Sequence, residues 1–271
     1  MSLLLWAVPY LLLGAFAGVS AGMLGIGGGV IMVPILTMLF SAQGAVPPGE
    51  VLHMALGTSM AAIIFTAIAS LRAHHSHGAV LWDVVKTITP GILIGTGIGT
   101  LVAANVPVRP LAAFFALFVC VVAVQMGLNL KPKPSRELPC AVGLGVVGLG
   151  IGVLSALVAI GGGSLTVPFL SWCNVQVQKA IGTSAAVGLP IALGGTAGYI
   201  FNGWNTPGLP AGSLGFVYLP AMAVLVVASM LTAPYGARLA HRLPVATLKR
   251  VFAILLVILA AKMVWGLFST P

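Results

Sequence analysis

Three consecutive glycines occur twice in this chain, each time five residues ahead of a proline: GIGGGVIMVP at 25–34 and AIGGGSLTVP at 159–168. Each copy follows a long apolar segment and leads into a short one. A glycine costs a helix about 1 kcal/mol relative to alanine, so Gly27-Gly28-Gly29 and Gly161-Gly162-Gly163 break the helices they close. The amides thus freed need acceptors, above all in lipid, where no water supplies them. An anion at the start of the following helix is such an acceptor, drawn by the amides and by the partial positive charge there. Ser164 adds a hydroxyl to the second copy. Glycines also let helices cross closely, so packing stands beside anion binding as a reading. Two interrupted segments at matching positions favour the binding site.

A second pair follows the first. Thr58-Ser59 in ALGTS and Thr183-Ser184 in AIGTS open the next helix of each half, where hydroxyls can cap the helix start or contact a ligand. These four residues join the six glycines and Ser164 as substrate-binding candidates. Accessory candidates are His53, Lys179, Gln125 and Lys262. His53 is a candidate proton-sensitive group because histidine as a residue type titrates near neutral pH, but an ordinary hydrogen-bonded histidine fits it as well. Lys179 can attract an anion or reach to the membrane interface. Gln125 and Lys262 match at an offset of 137 in the last helix of each half. An intramembrane lysine is a functional candidate, and one near a chain end can equally reach the interface.

Other chemistries find little support. His74, His75 and His77 lack a carboxylate or cysteine to complete a metal site and read as a solvated loop. A serine hydrolase needs a base, and His53, six residues before Ser59, does not share its helix face. GIGGG lacks the lysine and spacing of a phosphate loop and follows no strand. The sequence therefore predicts no catalytic residue, no metal and no cofactor. Cys120, Cys140 and Cys173 read as small packing residues.

The positioning elements follow from composition. Of the 271 residues, 59% are hydrophobic and 6% charged, and mean hydropathy is +1.15. A soluble domain carries roughly 25% charged residues, so this chain is an integral membrane protein. Its net charge of +9 sits at segment ends as a topology signal, not on a nucleic-acid-binding face. A span needs about 20 apolar residues. Long candidates run over 3–25, 51–72, 84–104, 108–129, 139–160, 180–201, 214–236 and 246–268. Short pieces at 29–40 and 163–173 are broken or re-entrant helices. The first segment has no Lys or Arg before it and reads as a retained span rather than a signal peptide.

The predicted fold is thus all-α and polytopic, with eight long helices and two short ones after the glycine triplets. Its two homologous halves are 1–130 and 139–271, joined by a cytoplasmic linker at 131–138. The repeat offset is 134 at the glycine triplets, 125 at the GTS motifs, 130 from Pro90 to Pro220 and 137 from Pro107 to Pro244. Gly14, Gly18 and Gly22, like Gly91, Gly95 and Gly99, share a helix face suited to close packing. Lys131, Lys133, Arg136, Arg72, Lys86, Arg238, Arg242, Lys249 and Arg250 fall on one side if each half crosses an odd number of times. Only Arg109 is then misplaced. This predicts about ten crossings, inverted halves and both termini outside.

The paired GIGGGVIMVP and AIGGGSLTVP, each followed by ALGTS or AIGTS, resemble the sulfite exporter TauE/SafE family, as does HGAVLW at 77–82. The likeness covers nearly the whole chain. It implies a secondary transporter in the cell's inner membrane, moving a small sulfur-containing anion such as sulfite, thiosulfate or an organosulfonate, outward and by alternating access. The implied site residues are the glycine triplets, Ser164 and the Thr-Ser pairs. The partners are then a small anionic solute and the lipid bilayer, with no nucleic acid. The alternative is a passive anion channel with the same donors. The histidine-rich approach to the Trp82 loop departs from the family pattern.

Overall fold

A computed structural model describes residues 3–24, 28–128, 135–242 and 252–263. Gly27, Lys131, Lys133, Lys249 and Arg250 lie outside them. Among the described residues, ten helices account for about 81%. They are α1 (Leu3–Leu24), α2 (Gly29–Gln43), α3 (Val51–Ser76), α4 (Trp82–Asn105), α5 (Val108–Gly127), α6 (Ala141–Val158), α7 (Gly163–Trp172), α8 (Val177–Gly203), α9 (Leu219–Arg242) and α10 (Phe252–Met263). The only strands among the described residues, β1 (Ser213–Leu214) and β2 (Val217–Tyr218), form a small antiparallel hairpin before α9. Among the described residues six helices (α3, α4, α5, α6, α8 and the Leu219–Gly236 part of α9) are long and apolar enough to cross a membrane. The chain is a polytopic all-α membrane protein, as the sequence predicts.

The helices are placed by small residues. Along α4, Gly91, Gly95 and Gly99 lie against the backbone of Gly145, Leu149 and Val153 in α6. Along α1, Gly14 and Gly18 lie against Leu225 and Ser229 of α9. In both pairs the residue numbers rise together, so each pair is parallel. Between α3 and α8 the order reverses. Gly57 meets Tyr199, Met60 meets Gly195, Ile63 packs with Ala192, and Ala67 meets Gly188. These two helices are antiparallel.

The antiparallel pair is the centre. The apolar window of α3 is 83% buried, the highest share of the six spans. Outward faces carry exposed Leu12, Leu117, Val121, Val142, Val146, Phe201 and Leu231. Such continuous apolar exposure suits lipid and not water. α2 and α7 are the short pieces after the glycine breaks, and both hold a proline on their sixth residue, Pro34 and Pro168.

A side chain at Gly95 would collide with the Leu149 carbonyl, whereas Gly97, half a turn on, faces open space. Overpacking of this kind costs about 1–3 kcal/mol. Gly95→Val is therefore expected to lower the thermal unfolding temperature of the purified protein in detergent, and Gly97→Val to leave it unchanged. Equal effects from both would contradict the close α4–α6 contact.

Candidate functional site

The two glycine breaks meet. α2 begins at Gly29, whose α-carbon lies so close to the Ala159 carbonyl oxygen that any β-carbon there would overlap it. Ala159 closes α6 in the left-handed region, φ 46°, a conformation that costs a non-glycine residue about 1–2 kcal/mol. Gly28, at φ 75°, turns the chain into α2, and its carbonyl accepts both the Ile31 and Met32 amides. On the other side the Gly162 carbonyl accepts the Thr166 amide at 2.8 Å. The amides of Gly161 and Gly162 donate to no backbone carbonyl among the described residues.

Beside this junction lies a cavity of about 260 Å³. It runs along α3 from Ile63 through Thr66, Ala67 and Ser70 to His74, with Gly161, Gly162, Ser184 and Gly188 across from them. Ala21 and Gly22 of α1 and Ala233 and Pro234 of α9 close it. A water occupies about 30 Å³ in the liquid, so the space holds a small oxyanion with several waters. Ser184 is 1% exposed, and its hydroxyl has no hydrogen-bond partner among the described residues. An unpaired buried hydroxyl costs about 1–3 kcal/mol; an acceptor in the cavity would remove that cost.

The remaining candidates divide. Gly161, Gly162 and Ser184 line the cavity; Gly28, Gly29 and Gly163 are buried in the junction. The Ser164 hydroxyl is buried without a partner but does not line the cavity, and the same holds for Ser59. Thr58 and Thr183 serve a different purpose. Neither caps a helix start, because each stands two turns inside its helix. The Thr58 hydroxyl accepts the Tyr218 amide and the Thr183 hydroxyl the Leu81 amide, both at 3.0 Å. The preceding glycines, Gly57 and Gly182, seat the Phe216 and Ala79 carbonyls of the same two loops. Each GTS motif is thus a socket for the loop that enters α9 or α4.

His53 is engaged away from the cavity. Its Nε2 lies 2.9 Å from the Ala103 oxygen, its ring stacks on Phe216, and its Nδ1 lies 3.1 Å from a Glu50 carboxylate oxygen outside hydrogen-bond angles. Lys179 and Lys262 are exposed and Gln125 is half-buried; none lines the cavity. The cysteines split, Cys173 buried and Cys120 and Cys140 exposed.

Sequence reasoning missed Thr66, Ser70 and His74. They recur every fourth residue on one face of α3, which a helical reading of 51–77 would have put together. His74, expected in a solvated loop, instead occupies the last turn of α3 and lines the cavity. His75 and His77 are exposed.

A family model described as Sulfite exporter TauE/SafE matches residues 10–263. A protein of Haemophilus influenzae called "Probable membrane transporter protein" is 37% identical over 93% of this chain and 96% of its own length. The "Probable membrane transporter protein YdhB" of Bacillus subtilis is 25% identical, covering 86% of this chain and 89% of its own. The "Probable membrane transporter protein MJ0441" of Methanocaldococcus jannaschii is 26% identical over 86% of each. No solved structure gives a significant match.

The socket threonines generate a test. Thr58→Val or Thr183→Val leaves a loop amide without its acceptor at a cost of about 1–3 kcal/mol, and the folded protein should melt several degrees lower. Thr→Ser at either position keeps the oxygen and should restore most of the melting temperature. A valine variant as stable as its serine counterpart would contradict the role.

Proposed function

Because the chain belongs to the sulfite exporter TauE/SafE family, we propose that it carries a small sulfur oxyanion or sulfonate out of the cell across the inner membrane by alternating access. As a family member it is a membrane transporter and not an enzyme. The anion sits in the cavity beside the glycine junction, where the Gly161 and Gly162 amides and the Ser184 hydroxyl replace part of its hydration shell. Burying an anion is costly unless it is hydrogen-bonded, and donors with no other partner are the means to do it. The observation that carries this reading is a cavity lined by Gly161, Gly162 and Ser184 beside a broken helix, with the Ser184 hydroxyl buried next to it and unpaired among the described residues.

The two halves, 1–130 and 139–271, are inverted repeats in this account. Antiparallel α3 and α8, with parallel α1–α9 and α4–α6 pairs, support it: matched helices of inverted halves must oppose, and exchanged ones must align. Alternation is supported by an asymmetry at the matched positions. At the repeat offset of 125, Thr66, Ser70 and His74 correspond to Ile191, Gly195 and Tyr199. On that second side Tyr199 is fully buried and donates to the Ala156 oxygen at 2.8 Å, and Met60 packs on Gly195. Ala156 itself corresponds to Gly22, which lines the cavity. One side is therefore open where its counterpart is filled. A passive channel needs both open together, so the carrier is favoured over the channel.

Proteoliposome counterflow of radiolabelled thiosulfate or sulfite tests the proposal. The wild type should show saturable exchange. Ser184→Ala should weaken anion binding about 10- to 100-fold, the worth of one hydrogen bond to a charged group. Gly188→Val, which fills the cavity toward the Gly162 amide, should abolish exchange. Unit currents without counterflow would replace the carrier with a channel. Exchange untouched by either substitution would remove the site.

A further inference from the structure

We propose that His74 is the charge partner of the transported anion, so that loading the cavity takes up a proton at its imidazole. This rests on the anion reading of the cavity and names the group that reading leaves out. The other cavity-lining side chains are apolar or hydroxyl-bearing. Hydroxyls and amides alone leave a net negative charge in a low-dielectric wall, and such a charge needs a partner. Histidine supplies one between about pH 5 and 8.

His74 is placed for this. It is half-buried and lines the cavity on the same face of α3 as Ser70 and Thr66. Its ring makes no hydrogen bond among the described residues. Its neighbours are engaged at the helix end. The Trp82 indole donates to His75 Nδ1 at 3.3 Å, and His77 Nδ1 lies 2.7 Å from the Ala73 oxygen. Arg72, His75 and His77 at the same helix end are exposed and line no part of the cavity. Around the cavity, α1 brings Ala21 and Gly22, α8 brings Ser184 and Ala185, and α9 brings Ala233 and Pro234, none of them titratable. Asp83 and Lys86 on α4 and Lys179 on α8 are exposed and line no part of it. Anion binding and protonation are therefore linked and reciprocal: affinity falls as pH rises through the histidine range, and the bound anion holds the proton on.

The test is equilibrium binding of labelled thiosulfate, which stays fully ionised over this range, to the full chain in detergent at about pH 5.5 and about pH 8. The wild type should lose about 10-fold or more in affinity at the higher pH. His74→Gln should bind weakly at both, and His74→Lys should bind at both with the affinity the wild type shows in acid. A His74→Gln variant with the wild-type pH dependence would overturn the assignment while leaving the anion site standing. If the glutamine variant does not fold, His74→Lys decides alone, and a retained pH dependence would sink it. A wild type that binds no thiosulfate at either pH removes the anion reading and this inference with it.

Discussion

The structure depends on one backbone contact, the Ala159 carbonyl seated on Gly29. A carbonyl can approach an α-carbon this closely only where no β-carbon intervenes. Fixing it there fixes where α2 starts, where α6 stops, and how α7 leaves the break on the far side. The contact also explains why a strained left-handed alanine is tolerated, since the turn that aims the carbonyl is the turn that ends α6. The glycine triplets thus do two different things in the two copies. In the first, Gly29 is a packing surface; in the second, Gly161 and Gly162 are cavity wall. Two near-identical motifs do not announce that difference, which only their surroundings create.

Around this junction the architecture is exchanged rather than divided. α1 lies on α9 and α6 on α4, so the helix before each glycine break packs on one distant in the chain. The GTS sockets repeat the exchange at finer scale, each helix holding by its threonine a loop more than a hundred residues away in the chain. Small residues make such crossings possible where lipid offers no hydrophobic drive for helices to associate. The same economy leaves the centre dependent on packed glycines, which are rigid when filled and cannot adapt when overfilled.

Much of the fold is legible in the sequence. The apolar segments and the small-residue faces of α1 and α4 follow from hydropathy and a spacing of four, and the described helices fall where those signals put them. Details set by tertiary contacts are not legible. Nothing local says that Thr58 and Thr183 face a loop from elsewhere in the chain, because that partner is set by the tertiary fold and not by the apolar run. His74 is hidden for a related reason. HHSH looks like a polar loop, and only the continuation of α3 to Ser76 turns one of its histidines inward.

The central claim is that the junction and Ser184 together hold an anion in the cavity. Selenite, the heavier analogue of sulfite, makes this visible: anomalous selenium scattering from crystals of the protein soaked in it locates the ion directly. The account predicts a peak inside the cavity within hydrogen-bonding reach of the Gly162 amide and the Ser184 hydroxyl, and no such peak in crystals of Gly188→Val. Selenium found only at the exposed lysines or outside the helical bundle, with the cavity empty, would contradict it.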